Sequence, residues 1–115
     1  MRTIAISGSA SGIGAATRAM LEAAGDTVIG IDLRDAEVTA DLSTDEGRAS
    51  AVEAVLGRCD GVLDGLVPGA GLGPPVDARL IAEVNYFGSE ALLDGLRPAL
   101  AASAAASVVQ IGSNL

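Results

Sequence analysis

The residues of this sequence best placed to do chemistry are three glycines. Gly8, Gly12 and Gly14 lie in the run Ser7-Gly8-Ser9-Ala10-Ser11-Gly12-Ile13-Gly14, directly after the apolar stretch Ile4-Ala5-Ile6. A strand that passes through a glycine-rich turn into a helix start gathers unpaired backbone N–H groups and the positive end of the helix dipole at one point. A phosphate can sit there. In that geometry Gly8 permits the tight turn, Gly12 lets the backbone approach a pyrophosphate with no Cβ in the way, and Gly14 lets the helix lie close on the sheet. Taken alone, the pattern also fits an ordinary strand-to-helix turn.

Asp32 supplies a second chemical group. It ends the β-branched run Thr27-Val28-Ile29-Gly30-Ile31, some 20 residues after Gly12. An acid at that spacing can accept hydrogen bonds from the ribose hydroxyls of an adenosine and would repel a 2′-phosphate; the plainer alternative is a surface Asp that terminates a strand. Arg34 could favour a 2′-phosphate, but Ser11 offers no second positive charge, so the expected cofactor is NAD. If a third strand lies beside the second, Asp41 can meet an adenine amino group and Leu42 can cover the ring edge. A plain turn is the alternative. The single Cys59 excludes an internal disulfide, and with no His no transition-metal site is expected. Cys59, near a helix end, reads as structural or idle.

The elements that must position these groups alternate. A helix over 15–24 would turn Ala16, Ala19, Met20 and Ala23 inward and leave Arg18 and Glu22 in water, with Gly25 as its stop. A short strand is expected within 35–42, through Val38 and Ala40. Ser43 to Glu46 reads as a capping box with Ser43 as N-cap, opening a helix to about Gly57 whose inner face is Ala49, Val52 and Leu56, with Glu53 and Arg58 solvated. Gly61 to Val67 gives a fourth strand, which the loop from Pro68 to Pro75 cannot continue. A long helix from about Val76 to Ala102 carries Leu80, Val84, Phe87, Ala91 and Leu92, with kinks or breaks expected at Gly88 and Pro98. Ser107 to Ile111 is the fifth strand, and Gly112 to Leu115 its outgoing loop. Five strands alternating with helices imply an α/β, doubly wound parallel sheet with right-handed crossovers. Its crevice would collect the glycine turn, Asp32, the Gly69 to Gly73 loop and Ser113 at the strands' C-terminal ends.

The totals agree with that architecture. The 115 residues make one domain, 50% of them hydrophobic but only 2% aromatic, so the core must be built from Ala, Val, Leu and Ile. A net charge of −8 argues against nucleic acid and anionic membrane as partners. No segment reaches the roughly 18–20 apolar residues that span a bilayer, and a cytoplasmic protein is expected.

The chain resembles the short-chain dehydrogenase/reductases. The spacing of Gly8, Gly12 and Gly14 is that family's, Asp32 stands where NAD-preferring members carry their acid, and Asp41-Leu42 matches the adenine-contacting pair. Val84-Asn85-Tyr86-Phe87-Gly88 is similar to the helix segment that holds the family's catalytic Asn, and Ile111-Gly112-Ser113 to the strand end that holds its catalytic Ser. These motifs run through the entire chain. The resemblance implies a Rossmann-type sheet with strand order 3-2-1-4-5. It implies NAD contacts from Gly8, Ser11, Gly12, Ile13, Gly14, Asp32, Leu33, Asp41, Leu42, Ala70 and Gly71, with Asn85 and Ser113 as catalytic residues. It also implies interconversion of a secondary alcohol and a ketone. The stretches GSASGIGAATR, VIGIDLRDAEV, ADLSTDEGR, LDGLV and VNYFG are most similar to bacterial NAD-dependent members that act on 3α-hydroxysteroids and carbonyl compounds, and homo-oligomers, dimers or tetramers, are the family's habit.

Two departures qualify those implications. Pro68-Gly69 stands where the family usually has Asn-Asn, and the family's Tyr-x-x-x-Lys, which follows the Ser, is not in this sequence. Tyr86 is no substitute, since Glu90 stands four residues on; core or interface packing is the expected role. As 115 residues alone the chain is expected to bind cofactor weakly and not to transfer hydride, and a catalytically silent nucleotide-binding fragment is the competing expectation. An edge left unpaired at the fifth strand would favour self-association.

Overall fold

The computed structural model describes residues 1–72 and 76–112. Five parallel strands form one sheet in the order β3-β2-β1-β4-β5, the order that the resemblance implies. They are β1 (Thr3–Ser7), β2 (Thr27–Asp32), β3 (Val38–Thr39), β4 (Gly65–Pro68) and β5 (Ser107–Val108). The helices are α1 (Gly12–Ala23), α2 (Asp45–Arg58), α3 (Ala78–Ala82) and α4 (Ser89–Ala101), with a π-helical segment, Glu83–Gly88, joining α3 to α4.

The apolar residues of β1 divide between two layers because successive side chains leave a strand on opposite faces. Ala5 joins Ile29, Ile31, Leu66, Val55 and Leu92 in the larger layer, under α2 and α4. Ile4 and Ile6 join Val28 and Val67 in the smaller one, beneath α1, where Leu21 packs against them. β1 is the fulcrum of the sheet: Ser7 lies opposite Ile31 on one side and Pro68 on the other. The glycine turn therefore leaves the sheet between its two central neighbours.

Several helix faces differ from the periodicity reading. In α1, Ala16, Ala19, Met20 and Ala23 are exposed, and the inward side is Gly14, Leu21 and partly Arg18. Small alanines gave that reading little to distinguish one face from the other, and Arg18 is drawn inward by an acid. Its guanidinium makes two 2.8 Å bonds to the Glu37 carboxylate, which also accepts the Gly30 amide at 2.7 Å. In α2 the buried positions are Arg48, Ala51 and Val55, with Val52 and Leu56 flanking them and Ala49 exposed. The N-cap is Thr44, whose hydroxyl accepts the Gly47 amide at 3.0 Å; Ser43 instead donates to Asp41. Cys59 caps the far end of α2 and is buried in the larger core layer.

The second half shows further corrections. Pro68 is the last residue of β4, not the first of the loop, and it is fully buried. It still accepts the Ile111 amide at 3.2 Å, but a proline has no N–H to return, so regular pairing of β5 stops at Val108 while the chain keeps its register to Ile111. The long helix starts two residues later than the expected Val76, and its buried stripe in the α4 half is Ser89, Leu92, Leu96 and Ala99, whereas Leu80 and Phe87 are exposed. The chain widens into the π segment at Glu83 and returns to α geometry after Gly88, and Pro98 lies inside α4. Tyr86 is not in the core: it is 62% exposed, its ring edge-on to Phe87 at 5.0 Å between centroids.

Candidate functional site

Backbone geometry explains the glycines of the opening turn. Gly8 and Gly12 both have positive φ, 77° and 56°, a conformation that costs other residues roughly 1–2 kcal/mol. At Gly14 a Cβ would run into the Gly8 carbonyl oxygen, so this glycine lets the first turn of α1 close onto the loop that precedes it. At Gly8 a Cβ would meet the Gly69–Ala70 backbone at 3.0 Å, which brings the loop after β4 alongside the glycine turn.

Hydrogen bonds fasten that turn to the tip of β2. The Gly8 amide donates to the Ile31 carbonyl at 2.8 Å, and the Ala10 amide donates to Asp32 Oδ2 at 2.9 Å. The other Asp32 oxygen accepts the Leu33 amide at 2.7 Å. Asp32 thus stands beside the start of α1 rather than as a detached surface acid. Ser11 is the N-cap of α1 in extended conformation, φ −152° and ψ 164°, yet its hydroxyl makes no capping bond and the first turn holds no acid. The first N–H groups of a helix need acceptors from outside it. Among the described residues neither the N-cap nor the first turn supplies a side-chain acceptor, which leaves an anion-binding end.

Ser7 and Gln110 belong to this end of the sheet, and the sequence reading missed both. The Ser7 hydroxyl, buried, accepts the Gly69 amide at 3.0 Å and the Ala70 amide at 3.1 Å. The Gln110 amide nitrogen donates to the Pro68 carbonyl at 3.0 Å and reaches Ser89 Oγ at 3.4 Å. Where Pro68-Gly69 offer no side-chain amides, backbone N–H groups and Gln110 make the connections. Ser7 was legible as the last strand residue before the first glycine; Gln110 carried no signal.

The remaining candidates fall into two groups. A depression of about 1010 Å³ brings together Ile13, Ala70, Gly71, Leu72, Asn85, Ser89 and Gln110. Within it Asn85 grips the loop after β4: Oδ1 accepts the Leu72 amide at 2.7 Å and Nδ2 donates to the Leu72 carbonyl at 2.8 Å. The other group flanks β2. Thr39 pairs opposite Asp32, so Asp41 follows two residues beyond the tip of β2. Asp41 is exposed, and the Ser43 hydroxyl and amide that bond its carboxylate hold it below the usual carboxylate range. Leu42 turns its side chain into the larger core layer, which leaves only its backbone to line a surface. Leu33 and Ile13 are apolar side chains 68% and 65% exposed. Ser113 lies outside the described residues. No cluster of metal-ligating side chains occurs among the described residues, and no helix there is long and apolar enough to cross a membrane.

Comparison with known proteins follows the same lines. No family model matches the chain. The 3-alpha-hydroxysteroid dehydrogenase/carbonyl reductase of Comamonas testosteroni is 56% identical over 101 residues, which cover 87% of this chain and 39% of that protein. The crystal structure of a Pseudomonas 3-alpha-hydroxysteroid dehydrogenase complexed with NADH superposes with a TM-score of 0.95 at 56% identity, covering 96% of this chain and 44% of that one. A short-chain dehydrogenase from Streptomyces avermitilis gives a TM-score of 0.81 at 29% identity, over 97% and 49% of the two chains. In sequence and fold, the chain matches the short-chain dehydrogenase/reductases. It spans about two fifths of the length of the curated relatives it matches. The superposition on the Pseudomonas structure takes in 96% of this chain, and 44% of that one.

Proposed function

We propose that the chain is the NAD-binding part, a single domain over 1–115, of an oxidoreductase that interconverts a secondary alcohol and a ketone. The observation that carries this reading is the Asp32 carboxylate, bonded to the Ala10 amide at 2.9 Å beside the uncapped start of α1. The residues present fit a dinucleotide. Gly8, Ser11, Gly12, Ile13 and Gly14 would hold the pyrophosphate, and Asp32 and Leu33 the adenosine ribose. Asp41 and the Leu42 backbone would face the adenine, and Ala70 and Gly71 would line the path toward the nicotinamide. When bound, NAD supplies the hydride acceptor. Asn85 lies at the nicotinamide end, where its amide holds the Leu72 backbone and its second N–H is free to order a water; Ser113 is assigned the contact to the substrate oxygen. The relative from Comamonas testosteroni, named for hydroxysteroid and carbonyl substrates, supports a steroid or similarly bulky carbonyl as substrate. A cytoplasmic homo-oligomer, dimer or tetramer, completes the reading.

A second reading, a nucleotide-binding module without turnover, rests on a different observation. All seven basic residues are arginines and the single tyrosine, Tyr86, is 62% exposed, so these 115 residues offer no Tyr–Lys proton donor pair. Titration of the chain with NADH by fluorescence, followed by mixing with a bulky ketone and recording absorbance at the reduced-nicotinamide band, tests both. Binding without oxidation is the outcome expected of these 115 residues under either reading, oxidation would overturn the second, and no binding refutes both. Asp32→Ala tests the cofactor choice. Removing a charge some 4 Å from a 2′-phosphate relieves about 1 kcal/mol in water, so affinity for NADPH relative to NADH should rise roughly fivefold; an unchanged ratio would remove Asp32 from the site.

A further inference from the structure

A charged side chain that the site above does not use lies between its two ends. Arg48, on the first turn of α2, is buried. Its Nε donates to the Leu42 carbonyl at 2.9 Å and its Nη1 to Asp45 at 2.9 Å. Nη2 donates to the Glu83 carbonyl at 2.8 Å and also to the Glu83 carboxylate. The Phe87 ring stands 5.8 Å from the guanidinium carbon, covering another side. A buried cation is costly unless its donors are met, and here each nitrogen of the fork has an acceptor.

Those acceptors are not scattered. Leu42 directly follows Asp41, and Glu83 is the residue at which the helix passes from α to π geometry. Asn85 is two residues further on, with both its amide atoms on the Leu72 backbone. A π turn is an uncommon conformation that neighbouring groups must stabilise. A guanidinium bonded to its first carbonyl and to the carboxylate of the same residue does that from outside the helix.

We propose that Arg48 is a positioning residue: by clamping Glu83 to the Leu42 carbonyl it holds the π segment in register and so sets where Asn85 and the Leu72 loop stand. The clamp is a statement about this chain's own contacts, and only its service to catalysis rests on the nucleotide-site reading. Lysine would not substitute, because an ammonium cannot reach acceptors on three separate residues as a planar fork can.

Hydrogen exchange of the 115-residue chain, followed amide by amide with NMR, tests the clamp. The Leu72 amide is the reporter because its acceptor is Asn85 Oδ1, and the Ile6 amide in central β1 reports the sheet. Arg48→Lys should raise exchange at Leu72 tenfold or more and shift the Asn85 side-chain amide signals, with Ile6 changing less than twofold. Glu83→Gln keeps the carbonyl and removes the carboxylate's charge, so it should raise Leu72 exchange by a smaller factor and serves if the arginine variant does not fold. Unchanged Leu72 exchange in Glu83→Gln together with unchanged or sheet-parallel exchange in Arg48→Lys would overturn the proposal. NADH titration of the unaltered chain is a separate arm: failure to bind there refutes the nucleotide reading, while the exchange data decide the clamp.

Discussion

Gly14→Ala and Gly57→Ala add the same methyl group to two helices, and the structure gives them opposite signs. Gly57 sits near the end of α2, exposed, with nothing within 4 Å of where a Cβ would stand. Replacing a helical Gly by Ala there should stabilise by about 0.5–1 kcal/mol. At Gly14 the same atom would collide with the Gly8 carbonyl oxygen and come within 3.2 Å of the Ser9 amide nitrogen. Neither neighbour is a flexible side-chain tip. Gly8 is itself tied to Ile31 and stacked on the loop after β4, so relief requires the start of α1 to lift off the turn. Overpacking of a tight site costs about 1–3 kcal/mol, and the intrinsic gain of Ala offsets only part of it. Urea unfolding followed by circular dichroism reads both: with a slope of about 1–3 kcal/mol per molar, the midpoint of Gly14→Ala should fall by roughly 1 M while that of Gly57→Ala rises by a few tenths. NADH affinity should fall about tenfold in the first and not change in the second, because the displaced first turn carries the N–H groups assigned to the pyrophosphate. Equal midpoints for the two variants would refute the close approach of helix and turn.

Other substitutions address the elements around the site. Thr44→Ala should cost α2 about 1 kcal/mol as a lost N-cap, with Ser43→Ala costing less than half of that; the reverse order in thermal melts would return the cap to Ser43. Glu37 is held at a pKa of about 2 by the Arg18 guanidinium first and by the Gly30 amide as well, against 4.5 when unfolded. Its carboxylate therefore contributes stability that is fully present above pH 4.5 and lost as pH falls toward 2. Between those pH values the unfolding midpoint of Glu37→Gln should decline less steeply than that of the parent, and parallel curves would show that the pair does not stabilise the fold.

The parts of the site that were legible in sequence are those fixed by backbone chemistry. Gly8 and Gly12 need positive φ, Gly14 needs the absence of a Cβ, and Asp32 ends a β-branched run; each requirement is written in a residue type at a fixed spacing. Strand order was legible too, through the family resemblance and the alternation of elements. Helix faces were not. α1 and α2 are rich in Ala, which reads alike on either face, so the phase slipped by about a residue and placed Ala16, Ala49 and Met20 inward although all three are exposed. The cap moved from Ser43 to Thr44 because two adjacent hydroxyls both satisfy the pattern and the Asp41 carboxylate takes the first. Arg18 and Arg48 were read as surface charges or passed over, since a buried arginine is visible only once its distant acceptors, Glu37 and Glu83, are folded against it.

Those two arginines show how an acidic chain with a light core fixes its nucleotide face. The larger core layer has no aromatic ring, and the turn after β1 and the π segment before α4 are both irregular backbone that apolar packing alone does not specify. Each is tied to an arginine by charge-assisted bonds, the first through a carboxylate that accepts a backbone amide and the second through main-chain carbonyls directly. Arg18 holds Glu37, which in turn accepts the Gly30 amide one residue before Ile31, the acceptor of the Gly8 amide. Arg48 joins the Leu42 and Glu83 carbonyls directly. Directional bonds of this kind fix angles and registers that interchangeable Ala, Val and Leu contacts leave free. Repacking the apolar layer with residues of similar volume should therefore change stability more than it changes the geometry at Asp32 and Asn85, whereas loss of either arginine should do the converse.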